Sequence, residues 1–212
     1  MRLLIDTSDR ERRVALARPD TLLGVRAFDI RNDIPSVLNQ HIRSLLADAG
    51  QELASLSHIA VNTGPGGLSS TRCGIAFANA LSFGLGVPAL GIGRFDVLNA
   101  VAAERTKGPV LCIQSGLDGK GYVAISRNGV LTERFHGDVR SWAKRHADAL
   151  QGAAVFGNTG LKDLVTNGRD ALFKSLAADD ILSAMNHLAA VRIDAGEAGM
   201  DGLVAVNESS FA

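Results

Sequence analysis

The residues from Cys73 to Gly93 carry no formal charge, and this uncharged run of 21 residues constrains the fold more than any other feature. A bilayer span needs roughly 20 predominantly apolar residues, so the run is long enough for one. Five glycines and Pro88 interrupt it, however, and the segment Gly84–Pro88 is typical of a helix end followed by a strand. We therefore predict a buried helix at 68–83 and a buried strand at 87–92 rather than a membrane span.

Composition agrees with a globular chain. Of 212 residues, 46% are hydrophobic and 21% are charged, which is ordinary for one domain or two small ones. Lysine plus arginine and aspartate plus glutamate both number 22, so no overall field attracts nucleic acid or an anionic membrane. The N-terminal apolar run reaches Asp6 after three residues, whereas a signal peptide needs about 7 to 15. This start predicts a cytoplasmic protein.

The order of predicted elements indicates two similar halves. Alternating apolar residues and turn signals predict an opening β-meander with strands at 2–6, 13–17 and 21–28. Helical spacing and apolar runs then predict helices at 35–49 and 95–103 and a strand at 57–62. After a change of composition at 104–109, strands are predicted at 110–114, 121–126, 130–135 and 153–156, and helices at 139–149, 161–166 and 179–190, before a polar tail from Asn207. We predict an N-terminal lobe, 1–103, and a smaller C-terminal lobe, 104–212, both of α+β class.

A glycine-rich loop, Gly64–Gly67, lies between a predicted strand and the predicted helix at 68–83. Glycines at a helix N-terminus let backbone amides face a phosphate. The loop lacks the lysine and the spacing of a P-loop, and a tight turn capped by Ser69 or Ser70 explains it equally well.

The polar cluster after the first predicted strand could accept a hydrated Mg²⁺ or simply form a turn. Our candidate nucleotide-binding residues combine this cluster with the glycine loop: Asp6, Thr7, Ser8, Gly64 and Gly66.

The sequence offers no catalytic or metal-ligand pattern. None of the five histidines forms an HxxxH or HExxH pair, so we predict no metal site and no catalytic residue in this chain. Cys73 and Cys112 lie in apolar stretches without a CxxC spacing, which predicts small buried thiols in a reducing compartment.

The stretch Gly64–Gly91, GPGGLSSTRCGIAFANALSFGLGVPALG, resembles the GPGSFTGLRIGxAxAxGLAxGLxxPxxG signature of the TsaB (YeaZ) family without a gap. The opening LLIDTS also resembles the LALDTS start of that family. The chain departs from the pattern at polar positions: Gly67–Ser70 replaces SFTG, Asn32–Ser36 replaces HSE, and Ser115 and Leu117 stand where the family has the Asp and Arg of DARxGEVY.

The resemblance implies an actin-like, hexokinase-like fold of two ribonuclease H-like lobes with little catalysis of its own. It implies a non-catalytic activator subunit in the bacterial synthesis of tRNA N6-threonylcarbamoyladenosine. The expected partners are a TsaD-like catalytic subunit, a TsaE-like ATPase and a second copy of the chain, with tRNA reached through the complex. This subunit then requires no cofactor itself, and the resemblance is compatible with ATP or ADP and Mg²⁺ in the complex. The alternative is an active small-molecule kinase or ATPase of the same fold.

Family members pair through helices of the first lobe, and the predicted helix at 68–83 is apolar on all sides. We therefore predict that the helices at 35–49 and 68–83 form the partner interface. The residues assigned to it are Val37, Leu38, Ile42, Leu45, Arg72, Gly74, Ala78 and Leu81.

Overall fold

A computed structural model gives the architecture of the chain. It describes residues 1–29, 33–116, 120–147, 151–157, 173–174, 176–197, 199, 202–206 and 211. The predicted helix at 161–166 and most of the tail from Asn207 lie outside these residues.

The first unit contains a five-stranded sheet, two helices on one side of it, and the last helix of the chain. The elements are β1 (Arg2–Asp6), β2 (Arg12–Arg18), β3 (Thr21–Phe28), α1 (Ile34–Asp48), β4 (His58–Asn62), α2 (Leu68–Leu85) and β5 (Ala89–Ile92). The strand order is β3-β2-β1-β4-β5, with β1 antiparallel to β2 and parallel to β4.

The second unit contains a sheet of the same plan. Its elements are α3 (Arg94–Arg105), β6 (Val110–Ser115), β7 (Gly121–Arg127), β8 (Val130–Gly137), α4 (Val139–Arg145), β9 (Ala154–Gly157) and β10 (Phe173–Lys174), and α5 (Ala178–Asp194) completes the first unit. The order β10-β9-β6-β7-β8 matches the first sheet strand for strand when that order is read from β5 to β3. The hairpin predicted at Asn128–Gly129 is present, and both residues have a positive φ, of 53° and 77°. The prediction of two similar lobes is confirmed by this repeated topology.

The domain boundary differs from the predicted 103/104. The first compact unit comprises Met1–Arg94 and Ala178–Val206, and the second comprises Phe95–Ala177 and Asn207–Ala212. The chain returns to the first unit after residue 177, because α5 packs against β1, β2 and β3. The buried Asn186 of α5 accepts a hydrogen bond from Arg2 at 3.0 Å and donates one to the carbonyl of Arg18 at 2.7 Å.

Both faces of the first sheet are covered. All five residues of β1 are buried, which requires packing partners above and below the strand. Alternate side chains of β1, Leu3 and Ile5, pack in one core with Leu38 and Ala78 of α1 and α2. These two helices form one layer on the sheet. Helix α5 also contacts the sheet, but its residues do not belong to the core that α1 and α2 share.

A short segment near the C-terminus also belongs to the first unit. The side-chain amide of Asn79 donates to the Leu203 carbonyl at 3.0 Å and accepts from the Leu203 amide at 3.2 Å. The amide of Val206 donates to the carbonyl of Thr63 at 2.8 Å, directly before the glycine loop. The segment therefore fastens the end of β4 to α2.

Candidate functional site

The candidate nucleotide-binding residues meet at one edge of the first sheet. Parallel strands β1 and β4 end side by side, with Ile5 opposite Val61. The turn after β1 and the glycine loop after β4 therefore touch, and the amide of Gly67 donates to the carbonyl of Ser8 at 2.9 Å. A Cβ atom on Gly66 would lie 2.1 Å from that carbonyl oxygen, so only glycine permits this approach.

Both oxygens of the Asp6 carboxylate have partners inside the protein. One oxygen accepts from the amide of Ser8 at 3.0 Å and from its hydroxyl at 2.6 Å. The other accepts from Arg94 at 3.1 Å and from Arg13 at 3.3 Å. Asp6 is completely buried, and the two arginines are 2% and 5% exposed.

The arginines extend this pairing outward. Arg94 donates to Asp9 at 3.0 Å, and Arg13 pairs with Glu11 at 2.9 Å. The Arg94 backbone amide also donates to the carbonyl of Gly64 at 2.7 Å, which connects the cluster to the glycine loop. We call these five charged residues, Asp6, Asp9, Glu11, Arg13 and Arg94, the Asp6 cluster.

The Asp6 cluster limits what Asp6 can do chemically. Mg²⁺ is bound through carboxylate oxygens and retains several waters, so it needs an accessible acid. At Asp6, two guanidinium groups occupy the place of a cation, and no surface of the residue is exposed. Within the described residues, no three His, Cys, Asp or Glu side chains are grouped to hold a metal ion.

Thr7 also has a structural partner. Its hydroxyl donates to the carbonyl of Ser70 at 2.7 Å and so fastens the first turn of α2 to the end of β1. A Cβ atom on Gly74 would lie 2.2 Å from the Thr7 hydroxyl oxygen. The predicted capping by serine is wrong for Ser70, whose hydroxyl donates to the Gly67 carbonyl at 2.9 Å, and no side chain caps α2 at Gly67.

The structure thus brings all five candidate nucleotide-binding residues together and gives Asp6, Thr7 and Ser8 internal partners. Nucleotide binding stays a prediction. Sequence reasoning missed Arg13 and Arg94, the latter 88 residues from Asp6 along the chain. Asp6 and Arg13 face each other across the antiparallel β1–β2 pair, and the predicted hairpin offered a signal for that contact.

Five of the eight predicted interface residues are buried within the first unit. They are Leu38, Ile42, Leu45, Gly74 and Ala78, all buried against the sheet or between α1 and α2. Little of their surface is left for a partner, because the sheet takes up the α2 side on which Gly74 and Ala78 lie, and their contact with a partner stays a prediction. Val37 and Leu81 are half-buried, and Arg72 is exposed.

The exposed side of α2 is a different stripe. It consists of Ser69, Arg72, Ala76, Ala80 and Phe83, whose spacing of three or four residues places them on one face of the helix. We call it the outer α2 face. The Phe83 side chain is 92% exposed, the most exposed of the large hydrophobic residues in the described chain.

The two cysteines are at least partly buried. Cys112 is buried, Cys73 is half-buried, and neither forms a disulfide. Burial raises the pKa of the Cys73 thiol, which opposes formation of the nucleophilic thiolate.

Comparison with known structures defines the class of protein first. The ROK hexokinase of Thermus thermophilus superposes with a TM-score of 0.51 over 92% of this chain and 99% of its own, at 11% identity. YeaZ of Pseudomonas aeruginosa superposes with a TM-score of 0.76 over 97% of this chain and 98% of its own, at 24% identity. The two repeated sheets are therefore those of the actin-like, hexokinase-like fold, as predicted.

The family follows from sequence. The family model described as TsaD, tRNA N6-adenosine threonylcarbamoyltransferase, matches residues 35–179, and the chain belongs to this family. The tRNA threonylcarbamoyladenosine biosynthesis protein TsaB of Bacillus subtilis is 27% identical over 133 residues. That match spans 62% of this chain and 58% of the relative. The resemblance to TsaB and YeaZ, stated from the glycine-loop motif, is confirmed.

The uncharged run at 73–93 forms the greater part of α2 and β5. No helix in the described part of the chain has both the length and the apolarity of a bilayer span.

Proposed function

We propose that this chain is a non-catalytic partner subunit in the synthesis of N6-threonylcarbamoyladenosine on tRNA. It binds a TsaD-like catalytic subunit and activates it. A TsaE-like ATPase joins the assembly in the cytoplasm, where the complex binds ATP or ADP with Mg²⁺ and contacts the tRNA. Family membership supports the pathway, and the buried Asp6 cluster supports the absence of catalysis in this subunit.

The outer α2 face is the observation that carries the partner role. Phe83 is an aromatic side chain with almost all of its surface in water, and burying such rings contributes strongly to association. Ala76 and Ala80 next to it have small side chains, which permit a short distance between the axes of two packed helices. The same face serves a second copy of the chain when the catalytic subunit is absent.

Substitution of Phe83 tests this proposal. The chain and the catalytic subunit of the same organism are copurified with and without ATP, and their mass is measured by size-exclusion chromatography with light scattering. We expect a defined heteromer with the wild-type chain. Phe83→Asp should weaken it by about 2 kcal/mol or more, roughly thirtyfold in Kd.

Val130→Asp is the matched control, since Val130 is 62% exposed on β8 of the second unit. It should leave the heteromer intact. Equal association of both variants with the catalytic subunit contradicts the assignment of the outer α2 face, and the absence of any heteromer contradicts the partner role.

An active small-molecule kinase or ATPase is the second candidate, favoured by the position of Asp6 beside the glycine loop. It predicts ATP hydrolysis by the isolated chain that Asp6→Asn removes. We expect no such hydrolysis, because the arginines compensate the Asp6 charge without a metal.

A further inference from the structure

Helix α4 presents an exposed face made of cations. Arg140, Lys144 and Arg145 are exposed, together with Ser141, and no acidic residue lies within the helix. The opposite side, formed by Val139, Trp142 and Ala143, is buried in the core of the second unit. Trp142 is 3% exposed, so the cations stand on an anchored element. We call Arg140, Lys144 and Arg145 the α4 basic face.

Arg140 interacts electrostatically with Asp138 just before the helix, whereas Lys144 and Arg145 form no ion pair with an acidic residue of the described chain. The contrast with other arginines is clear: Arg10 pairs with Asp29, Arg26 with Asp48 and Arg192 with Glu197. In a chain with a formal net charge of zero, three exposed cations beside one carboxylate, all within the described residues 138–145, are a local departure from balance. Such clusters attract anions even when the whole protein exerts no field.

The helix dipole does not account for the α4 basic face. Lys144 and Arg145 lie in the last turn, where cations stabilise a helix. Arg140 lies in the first turn, where a cation is unfavourable. Asp138 caps that end, accepting from the amides of Arg140 and Ser141 at 2.9 and 3.2 Å, so helix stability does not require Arg140.

We propose that the α4 basic face binds the phosphate backbone of RNA. Arg140 and Lys144 are one helical turn apart, which puts their Cβ atoms about 6 Å from each other and allows contacts with neighbouring phosphates. Contacts of this kind orient a nucleic acid without reading its sequence. The identity of the RNA as tRNA rests on the proposed function, whereas the phosphate contact rests on the charges of α4.

The surroundings of α4 favour RNA over a lipid surface. A helix that lies on a membrane inserts its apolar face between lipids. The apolar face of α4 is already buried by Leu111, Val123 and Val155. Only its charged side is available, which fits a soluble polyanion.

Charge reversal on α4 tests the proposal with the isolated full chain. The probe is a fluorescein-labelled tRNA transcript, and its anisotropy is measured from 20 to 200 mM salt. We expect the logarithm of the wild-type association constant to fall with the logarithm of salt concentration with a slope of about −2 to −3, as three phosphate contacts predict. The triple variant Arg140→Glu, Lys144→Glu, Arg145→Glu should bind at least about tenfold more weakly at low salt.

The matched control carries the same change of charge elsewhere: Arg18→Glu, Lys107→Glu and Arg127→Glu, all at exposed positions. The control should bind with an affinity within about threefold of that of the wild type. Its substituted charges lie away from the α4 basic face, and salt screens the long-range repulsion that both triple variants add. Circular dichroism of both triple variants shows whether they are folded, and single Arg140→Glu and Lys144→Glu variants replace the α4 triple variant if it is not.

Equal binding by the α4 variant and the control overturns the proposal, as does a wild-type chain that leaves the tRNA free at 20 mM salt. Binding to phosphatidylglycerol vesicles that depends on the α4 basic face, without tRNA binding, also overturns it. Copurification with the catalytic subunit does not enter this measurement. A chain that binds tRNA through α4 but no catalytic subunit therefore rejects the partner role and retains the RNA contact.

Discussion

Removing Arg94 from the Asp6 cluster is the sharpest test of how the first unit is stabilised. Arg94→Met keeps much of the side-chain volume and deletes the charge. Asp6 then retains Arg13 and Ser8, while the Arg94 contact at 3.1 Å is lost and Asp9 loses its partner at 3.0 Å. In the unfolded chain, water hydrates both carboxylates. The substitution therefore raises the free energy of the folded state and leaves that of the unfolded state nearly unchanged.

The burial of the pair determines how much free energy of unfolding the variant loses. Breaking a buried pair by removing one partner costs about 3 to 5 kcal/mol, because the remaining charge is left in a poorly polarisable interior. Arg13 still contacts the same oxygen of Asp6 at 3.3 Å, which places Arg94→Met near the lower end, at about 3 kcal/mol. That loss lowers the ratio of folded to unfolded chain roughly a hundredfold.

Urea unfolding followed by circular dichroism measures this loss, with Arg10→Met as the control. Arg10 forms an exposed pair with Asp29, with side chains 77% and 46% exposed, and such pairs contribute at most about 1 kcal/mol. The double variant Asp6→Asn, Arg94→Met should recover part of the stability, since it also removes the buried negative charge of Asp6 that Arg94 no longer compensates. If Arg94→Met is within about 1 kcal/mol of the wild type, the buried pairing at Asp6 is not what holds this edge of the sheet.

Two further predictions concern α2 and a histidine. Gly74→Ala should destabilise the chain by about 1 to 3 kcal/mol because its Cβ atom meets the Thr7 hydroxyl, whereas Gly84→Ala on the same helix meets nothing within 4 Å and should stabilise it by about 0.5 to 1 kcal/mol. Thermal unfolding of both variants checks this, and equal effects of the two would contradict the packing described at Gly74. Burial, and then the neighbouring Arg26, lower the pKa of His41 from 6.5, so the unfolded chain binds the proton more tightly and stability is lost as the pH falls below 6.5. His41→Gln should reduce this loss of stability between pH 7 and 5. His58→Gln should remove a separate part of the loss, because burial also lowers the pKa of His58. If the stability of both variants depends on pH as that of the wild type does, these two histidines do not cause the loss.

Much of the fold was predictable because its signals are local. The strand Thr21–Phe28 has the predicted bounds, and the predicted helix start at Leu68 is also correct. Turn residues such as Asn128–Gly129 determine backbone conformation within a few residues. The contiguous motif Gly64–Gly91 was sufficient to indicate the family.

The orientation of α2 was not predictable in the same way. Its apolar residues surround the helix, so periodicity identifies no single buried side. The sequence pattern therefore predicts Ala78 at a partner interface, whereas Ala78 is completely buried in the core that the sheet, α1 and α2 form, and Phe83 faces solvent. Only the packing of α2 on β4 and α1 decides between these sides.

The sequence by itself determined the elements, the repeated α+β plan and the family, because each depends on short-range patterns or a contiguous motif. Tertiary structure decided the charge partners of Asp6, the return of α5 to the first unit and the exposed side of α2. Arg94 reaches Asp6 across 88 residues of sequence, and Asn186 reaches Arg2 across 184. Such contacts depend on how sheets and helices pack, and no local preference of the chain encodes them.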